Sequence, residues 1–491
     1  MRRISYCLLS GSLILMLFAP LSIATPDKSK KSSTASVKLP VTTKSNRARN
    51  LFEKAMVDYE NLHLERSTEQ WRLAAKADPN FALAHAWIAF SSTDPVEVTA
   101  ERKRAKGLMS NVTPGEKLMI EWIVGVQENS FVNGIAAMND MLARFPKDKR
   151  LFFLASNWLL NENENELAGK MCRRALAVDK DYPAALNNLA YAEARQNNFP
   201  AAFAAMESYI KVLPKEPNPQ DSYAEILRMS GKFDGALEHY RDALKIDPKF
   251  HSSQLGLGDT YALMGQQVRA RAEYAKAVEQ DPNVANRLNY KTQAAMTWIR
   301  ENKLHEADKS FAAVAEEAHK KGQDLIEAKD HRLMAMYQVS DKDALKHLDA
   351  AEAALSHQQE ISQSDREEER ARILRLRVVR ATHGGDQETA KRAMEQLETM
   401  AKDSRSTVIQ QSYHAAVGAV QMAEQKYSDA VLNLQEDSDD PFSLELLSRA
   451  YTELGNDAEK RDVESKLKSI HLPTIEQAVM ALPNATTQSA K

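Results

Sequence analysis

Cysteine is nearly absent: the chain has two in 491 residues. A disulfide framework is therefore excluded, and stability must come from packing. Glycine (16) and proline (17) are also scarce, which argues against a turn-rich all-β fold and against collagen-like or low-complexity architecture. Neither sign of charge dominates, since Lys+Arg 65 against Asp+Glu 68 leaves a net charge of −3. That balance gives no general drive toward nucleic acid. Beyond the first 24 residues no apolar run is long enough to span a membrane. The remaining composition, 43% hydrophobic and 27% charged, can bury a core and excludes wholesale disorder. The length suits about three domains or one long repeat array.

The N-terminus reads as an address. Arg2 and Arg3 precede an uncharged apolar run from Leu8 to Ile23, which ends at Ser22-Ile23-Ala24, small at the two positions a signal peptidase reads. Gly11, Ser12 and Pro20 interrupt the run and leave it shorter than a spanning helix needs. A signal peptide over 1–24, cleaved after Ala24, and export to the periplasm or medium are the expectation; a retained anchor is the rival. Cys7 lies too early to be a lipid acceptor, so cleavage would leave Cys172 as the sole thiol. Residues 25–49 hold seven Lys/Arg against one Asp with few large apolar side chains. Residues 25–46 are accordingly expected to be a flexible basic Lys/Ser/Thr tether, the one place besides the signal for membrane contact.

A 34-residue beat follows. Pro146, Pro214, Pro248 and Pro282 share one phase with Lys180, and Asp179, Asp247 and Asp281 precede that slot. Ala168, Ala202, Ala236 and Ala270 recur in the same frame, as do Ala175, Tyr209, Ala243 and Ala277. Ser156, Ala190, Ala224 and Gly258 mark a third small-residue phase, where two helices must approach closely. Stripes such as Phe233, Ala236, Leu237, Tyr240, Ala243, Leu244 have helical spacing. Each unit reads as helix, short turn at Asn197, Gly231 or Gly265, second helix, and an Asp-Pro-type stop.

In this period and small–small–Ala–Pro pattern the chain resembles the tetratricopeptide repeat (TPR) family. The resemblance is specific over 115–282. It is looser at 47–114, where Trp71 and Ala74 keep their offsets before Asp78-Pro79. It is looser again at 283–470, where Ala307/Phe311/Val314, Ala344/Leu348/Ala351 and Ala390/Met394/Leu397 are spaced for longer helices or insertions. Ser364-x-x-Glu367 reads as a capping box opening a further helix. The resemblance implies an all-α superhelical solenoid of about nine to eleven helical hairpins, with residues 471–491 as a capping helix and frayed tail.

Catalytic chemistry is not visible. G-x-S-x-G, H-E-x-x-H, G-x-x-x-x-G-K-[ST] and C-x-x-C are missing, and the 12 His lack metal-ligand spacing. Gly256-x-Gly258 falls inside a repeat helix, so a packing role outranks a phosphate loop. Asp437-Ser438-Asp439-Asp440 fails as a calcium loop because its sixth position is Phe442. Cys172 occupies the slot that holds Met206, Tyr240 and Tyr274 elsewhere, a packing position for a buried thiol rather than a nucleophile. Asn111-Val112-Thr113 and Asn484-Ala485-Thr486 match a glycosylation sequon. No catalytic residue, cofactor or metal is expected.

In TPR proteins the first helices of successive units line a concave groove that takes a peptide or partner helix. By that resemblance the groove of this chain would present Phe153, Asn157, Asn187, Asn188, Tyr191, Asp221, Glu225, Arg228 and Asp259. Asparagine suits such a surface because one amide both donates and accepts. Asn157 and Asn188 would match the asparagines of the family's carboxylate clamp, but its basic slots hold Phe153, Asn218 and Ser222, which argues against C-terminal carboxylate capture. The acidic rim of Asp221, Glu225 and Asp259 would favour a basic or hydroxyl-rich segment. Purely structural roles compete: Asp221 as a helix cap, Glu225 with Arg228 as an i, i+3 pair, and Tyr191 as groove wall. The reading is an exported, non-catalytic scaffold that binds protein or peptide partners in the cell envelope. The alternatives are an assembly subunit joining through its ends and an enzyme with an unrecognised site in 300–470.

Overall fold

The computed structural model describes residues 38–128, 130–356 and 361–482. The expected signal peptide, its cleavage point, most of the tether and the Asn484 sequon lie outside the described residues. Among the described residues all regular structure is helical and the helices stack in consecutive antiparallel pairs, an all-α TPR-like solenoid. Helices α1 (Asn46–Glu60) and α2 (Leu64–Ala77) form the first pair, α3 (Ala82–Ser91) and α4 (Pro95–Leu108) the second. Next come α5 (Pro114–Gln127) with α6 (Phe131–Arg144), then α7 (Lys149–Asn161) with α8 (Asn165–Val178). The most regular stretch adds α9 (Pro183–Arg195) with α10 (Phe199–Val212), and α11 (Asn218–Met229) with α12 (Phe233–Ile246). It continues through α13 (His251–Leu263) with α14 (Gln267–Gln280).

Helices then lengthen. α15 (Val284–Arg300) pairs with α16 (Leu304–Lys320), α17 (Asp324–Tyr337) with α18 (Asp341–Ser356), and α19 (Gln363–His383) with α20 (Gln387–Asp403). α21 (Thr407–Ala423) with α22 (Tyr427–Leu434), and α23 (Pro441–Leu454) with α24 (Asp457–Ser469), complete twelve pairs before the short α25 (Ile475–Met480). Twelve exceeds the nine to eleven expected, because the C-terminal units extend their helices (17 residues in α15 and α16, 21 in α19) rather than insert domains. The capping box expected at Ser364 is corrected. Ser362 caps α19, its hydroxyl accepting from the Asp365 amide at 3.1 Å, and Ser364 lies within the first turn.

The repeat punctuation has a local cause. The turn inside a hairpin reverses the chain through one left-handed residue: Asn197 (φ 60°), Gly231 (φ 78°) and Gly265 (φ 77°) in the regular units, residue types that tolerate that region. The recurring Asp ends the second helix by accepting an amide two residues on, as from Lys249 to Asp247 at 2.9 Å and from Asn283 to Asp281 at 2.8 Å. The small-residue phase gives room for aromatic knobs. A Cβ on Gly256 would come within 2.2 Å of the Tyr240 ring, and one on Gly258 within 2.5 Å of the Tyr274 ring. Both glycines therefore serve packing. Cys172, with 0% exposure, fills the equivalent slot, and burial pushes its thiol up to about 12.

The end of the expected tether is not free. Leu39 and Val41 pack on the core, and the Leu39 amide donates to Asp148 Oδ2 at 2.9 Å. Thr42 donates its amide and hydroxyl to the Glu116 carboxylate at 2.5 and 2.6 Å, and Thr43 Oγ1 donates to Asp78 Oδ2 at 2.5 Å. Residues 38–45 thus run as a strap across three inter-helix junctions. Their composition reads as linker because backbone and hydroxyl groups, rather than apolar bulk, hold them in place.

The solenoid also coils back on itself. His63 Nε2 meets Glu216 Oε2 at 2.9 Å, and Asn283 Nδ2 donates to Thr93 Oγ1 at 3.3 Å. Thr407 Oγ1 donates to Glu162 Oε2 at 2.9 Å, and Asn163 Nδ2 to Asp439 Oδ2 at 2.6 Å. In the last two, a turn inside an early hairpin touches a junction at the start or end of a late one. No described helix is long and apolar enough to cross a membrane.

Gly256→Ala is expected to destabilise the chain by about 1–3 kcal/mol, the range for overpacking a filled site. Gly107→Ala, in the last turn of α4 where an added Cβ meets nothing within 4 Å, should stabilise by about 0.4–1 kcal/mol. Urea unfolding of the two variants beside wild type checks both signs.

Candidate partner-binding face

The residues projected onto the groove fall on α7, α9, α11 and α13, the first helices of four consecutive pairs, and most join one polar ladder. Asn188 Nδ2 donates to Ser156 Oγ across α9 and α7 at 3.0 Å. The Tyr191 hydroxyl crosses from α9 to α11 and donates to Glu225 Oε2 at 2.7 Å. Arg228 bridges onward, Nη2 donating to Glu225 Oε1 at 3.3 Å and Nη1 to Asp259 Oδ2 on α13 at 2.9 Å. Ser253 Oγ donates to Asp221 Oδ1 at 2.6 Å. Asn157 is half-buried and Asn187 is buried.

Two competing readings of these residues are resolved. Asp221 does not cap α11: its carboxylate is spent on Ser253 of the next hairpin. Glu225 and Arg228 do pair within their helix, but Arg228 also reaches the following one. The case for a basic partner is weakened at the same point. Each rim carboxylate already has a partner within the chain: Ser253 for Asp221, Tyr191 and Arg228 for Glu225, and Arg228 and Tyr274 for Asp259. An acid whose charge is matched internally offers little to an incoming cation.

Three members of the ladder are not among the residues that the sequence projects onto the groove. Ser156 and Ser253 look like ordinary helix residues, although Ser156 sits at the small-residue phase. Tyr274 comes from α14, a second helix, and donates to Asp259 Oδ1 at 2.8 Å. The signal for it was Gly258, whose missing side chain makes room for the Tyr274 ring.

Burial sets the electrostatics. It pushes the Tyr191 hydroxyl well above its usual range, with the Glu225 charge adding to the shift. Burial also raises the Glu225 carboxyl, but Arg228 and the Tyr191 hydroxyl outweigh it and leave the group below the ordinary value. Asp221 has no such compensation: burial pushes it up to about 7 despite the Ser253 hydrogen bond. Two polar atoms on this face are buried with no hydrogen-bond partner among the described residues, Asn187 Oδ1 and Ser222 Oγ. A buried acceptor left unpaired is costly and calls for a donor.

The remaining chemical candidates are structural. Asp437 is buried against Arg375 Nη1 at 2.9 Å and accepts from Ser443 Oγ at 2.7 Å, while Asp440 caps α23. Asp439 takes Lys466 Nζ at 2.6 Å, so the acidic run is consumed by ion pairs and a cap.

Because the folded-state pKa of Asp221 lies above the unfolded value, the protonated form is favoured by folding. Its stabilising contribution is full below about pH 4 and is lost as pH rises to about 7. Asp221→Asn should therefore melt higher than wild type at pH 8, with the difference shrinking toward pH 4, as read from thermal denaturation across that range.

Residues 227–293 match the tetratricopeptide repeat family model. No curated protein matches the chain by sequence. Among solved structures, a tetratricopeptide repeat protein from Parabacteroides merdae is 15% identical, covering 55% of this chain and 93% of its own, with a TM-score of 0.34. The thermophilic TPR protein TTC0263 of Thermus thermophilus is 20% identical over 35% of this chain and 92% of its own, at 0.31. YrrB, a TPR protein with an unusual peptide-binding site, is 17% identical over 37% of this chain and 91% of its own, at 0.26. Repeat solenoids of this kind are typically non-catalytic scaffolds that bind protein or peptide partners. The 34-residue period, the stacked helix pairs and the stretch matched over 227–293 agree on one architecture, a TPR-like helical solenoid.

Proposed function

We propose that this chain is an exported, non-catalytic scaffold of the cell envelope that binds an extended peptide segment along the shared face of α7, α9, α11 and α13. The observation that carries the reading is the pair of buried, unpartnered acceptors Asn187 Oδ1 and Ser222 Oγ on adjacent first helices. A peptide backbone supplies N–H donors at regular spacing and suits such acceptors better than a metal or an anion would. The ladder beside them fixes the side chains in advance, so little ordering cost falls on binding. Hydroxyl-bearing partner residues fit the same acceptors; a strongly basic segment has lost its electrostatic ground. Export rests on the charged-then-apolar N-terminus and the small residues before Thr25.

Capture from an envelope extract tests the face. The informative variant is Asn187→Ala with Ser222→Ala, since Asn188 and Tyr191 hold internal hydrogen bonds whose loss would disturb the fold. A partner retained by wild type and lost by the variant, at unchanged helicity, is the expected result; equal capture by both overturns the assignment. Mass spectrometry of the protein recovered from the producing cell should give Thr25 as its first residue. An intact Met1 in the envelope fraction would mean an anchor, and recovery from the cytoplasm would end the export proposal.

A further inference from the structure

The sequence reading places a capping helix at the end of the array, and the structure puts that segment elsewhere. No residue of α24 is buried, so α24 is the solvent-facing cap. Beyond it the chain turns back to the middle of the solenoid. His471 Nδ1 lies 3.2 Å from the Met229 carbonyl oxygen, and its ring stands edge-on to Phe233 at 5.4 Å. The Thr474 carbonyl accepts from Arg300 Nη2 at 3.3 Å. Then α25 contacts α15, α17 and α23 and buries Ile475, Ala478 and Val479. These share one apolar cluster with Ala295, Met296 and Ile299 of α15 and with Leu333, Met334 and Tyr337 of α17.

The fit is chemically specific. Positions 475, 478 and 479 are i, i+3, i+4, one face of a helix. Glu476, on the first turn, lies in electrostatic reach of Arg375, the cation that also pairs with Asp437 and Asp440. Only one turn and a half of helix enters the slot. A six-residue helix has no stability of its own, so its order comes entirely from the surface that it covers. The lead-in Ile470–Thr474 contains Pro473 and forms no helix, so α25 is joined to α24 by a hinge rather than by packing. A surface on α15 and α17 therefore receives a short apolar helix from a distant part of the chain, held at high effective concentration by its tether.

We infer that the α15–α17 slot is a binding site for a short amphipathic helix of a partner protein, with apolar residues at i, i+3 and i+4 and a carboxylate at i+1, and that α25 is its built-in competitor. A partner helix carrying that pattern displaces α25, which swings out about the hinge at 470–474. The apparent affinity of the partner is then reduced by the fraction of time α25 is seated. This site stands apart from the ladder on α7 to α13 and does not depend on it.

The test uses the full chain and a labelled synthetic peptide of the sequence HLPTIEQAVMAL, residues 471–482, followed by fluorescence anisotropy. Ile475→Asp with Val479→Asp unseats α25 while leaving the slot residues intact. The peptide should bind this variant at least about tenfold more tightly than wild type, the gain expected when a tethered competitor is removed. The same peptide with Asp at the Ile475 position should bind neither protein. Equal or absent binding to a variant of unchanged helicity overturns the proposal. Should the variant lose helicity, hydrogen exchange of wild type decides. Exchange of the α25 amides faster than those of α15 and α17 supports a slot that opens, and exchange only with global unfolding overturns it. If sedimentation shows the wild-type chain dimerising as α25 is released, the occupant is a second copy, and the foreign helix is overturned.

Discussion

A hairpin of two amphipathic helices has one apolar face that its own partner helix cannot cover, and the whole molecule follows from that deficit. Each pair covers the face of the one before it, so stability accumulates along the array rather than around a single centre. The requirement is local and repeated, which is why the residues that meet it recur in phase. Ala168, Ala202, Ala236 and Ala270 are each fully buried, and Tyr240 and Tyr274 fill the space that Gly256 and Gly258 leave. At the N-terminal end the seam is aromatic instead: Trp71 stacks on Trp87 at 5.1 Å, and Tyr59 packs edge-on against Phe153 of α7.

The same stacking explains the polar ladder. When first helices lie side by side, residues about one repeat apart face each other, as Tyr191 and Glu225 or Arg228 and Asp259 do. Glu225, Arg228 and Asp259 can be buried there because they pair with one another, whereas Asp221 has only the Ser253 hydroxyl. Removing one partner would strand the other, at a cost of roughly 3–5 kcal/mol. The ladder thus ties register between hairpins to the same face that the proposed peptide would read. In the proposed reading binding and folding share residues here, and an atom left without a partner among the described residues, such as Asn187 Oδ1, is the kind a peptide would use.

Two further segments use the array as a surface. The strap at 38–45 binds through backbone and threonine hydroxyls to Asp78, Glu116 and Asp148. The α25 segment binds through three apolar side chains. The solenoid therefore already shows both of the recognition chemistries proposed for it, an extended segment held by hydrogen bonds and a short helix held by burial.

The sequence specifies the hairpin within a single repeat. Helical periodicity, a left-handed residue at the turn, an Asp after the second helix and small residues at fixed phase are all read within one 34-residue window, because the forces behind them act over a few residues. It also determined that Gly256, Gly258 and Cys172 are packing positions. The tertiary structure alone decided what lies next to what across long separations. Glu162 meets Thr407, Asn163 meets Asp439, Arg300 meets Thr474, and the carboxylates of the expected acidic rim turn out to be matched from neighbouring helices. Such contacts depend on the pitch of the coil, which sums small angles over many hairpins. No single window of sequence carries that sum, so the return of α25 to the middle of the array could be seen only in the folded chain.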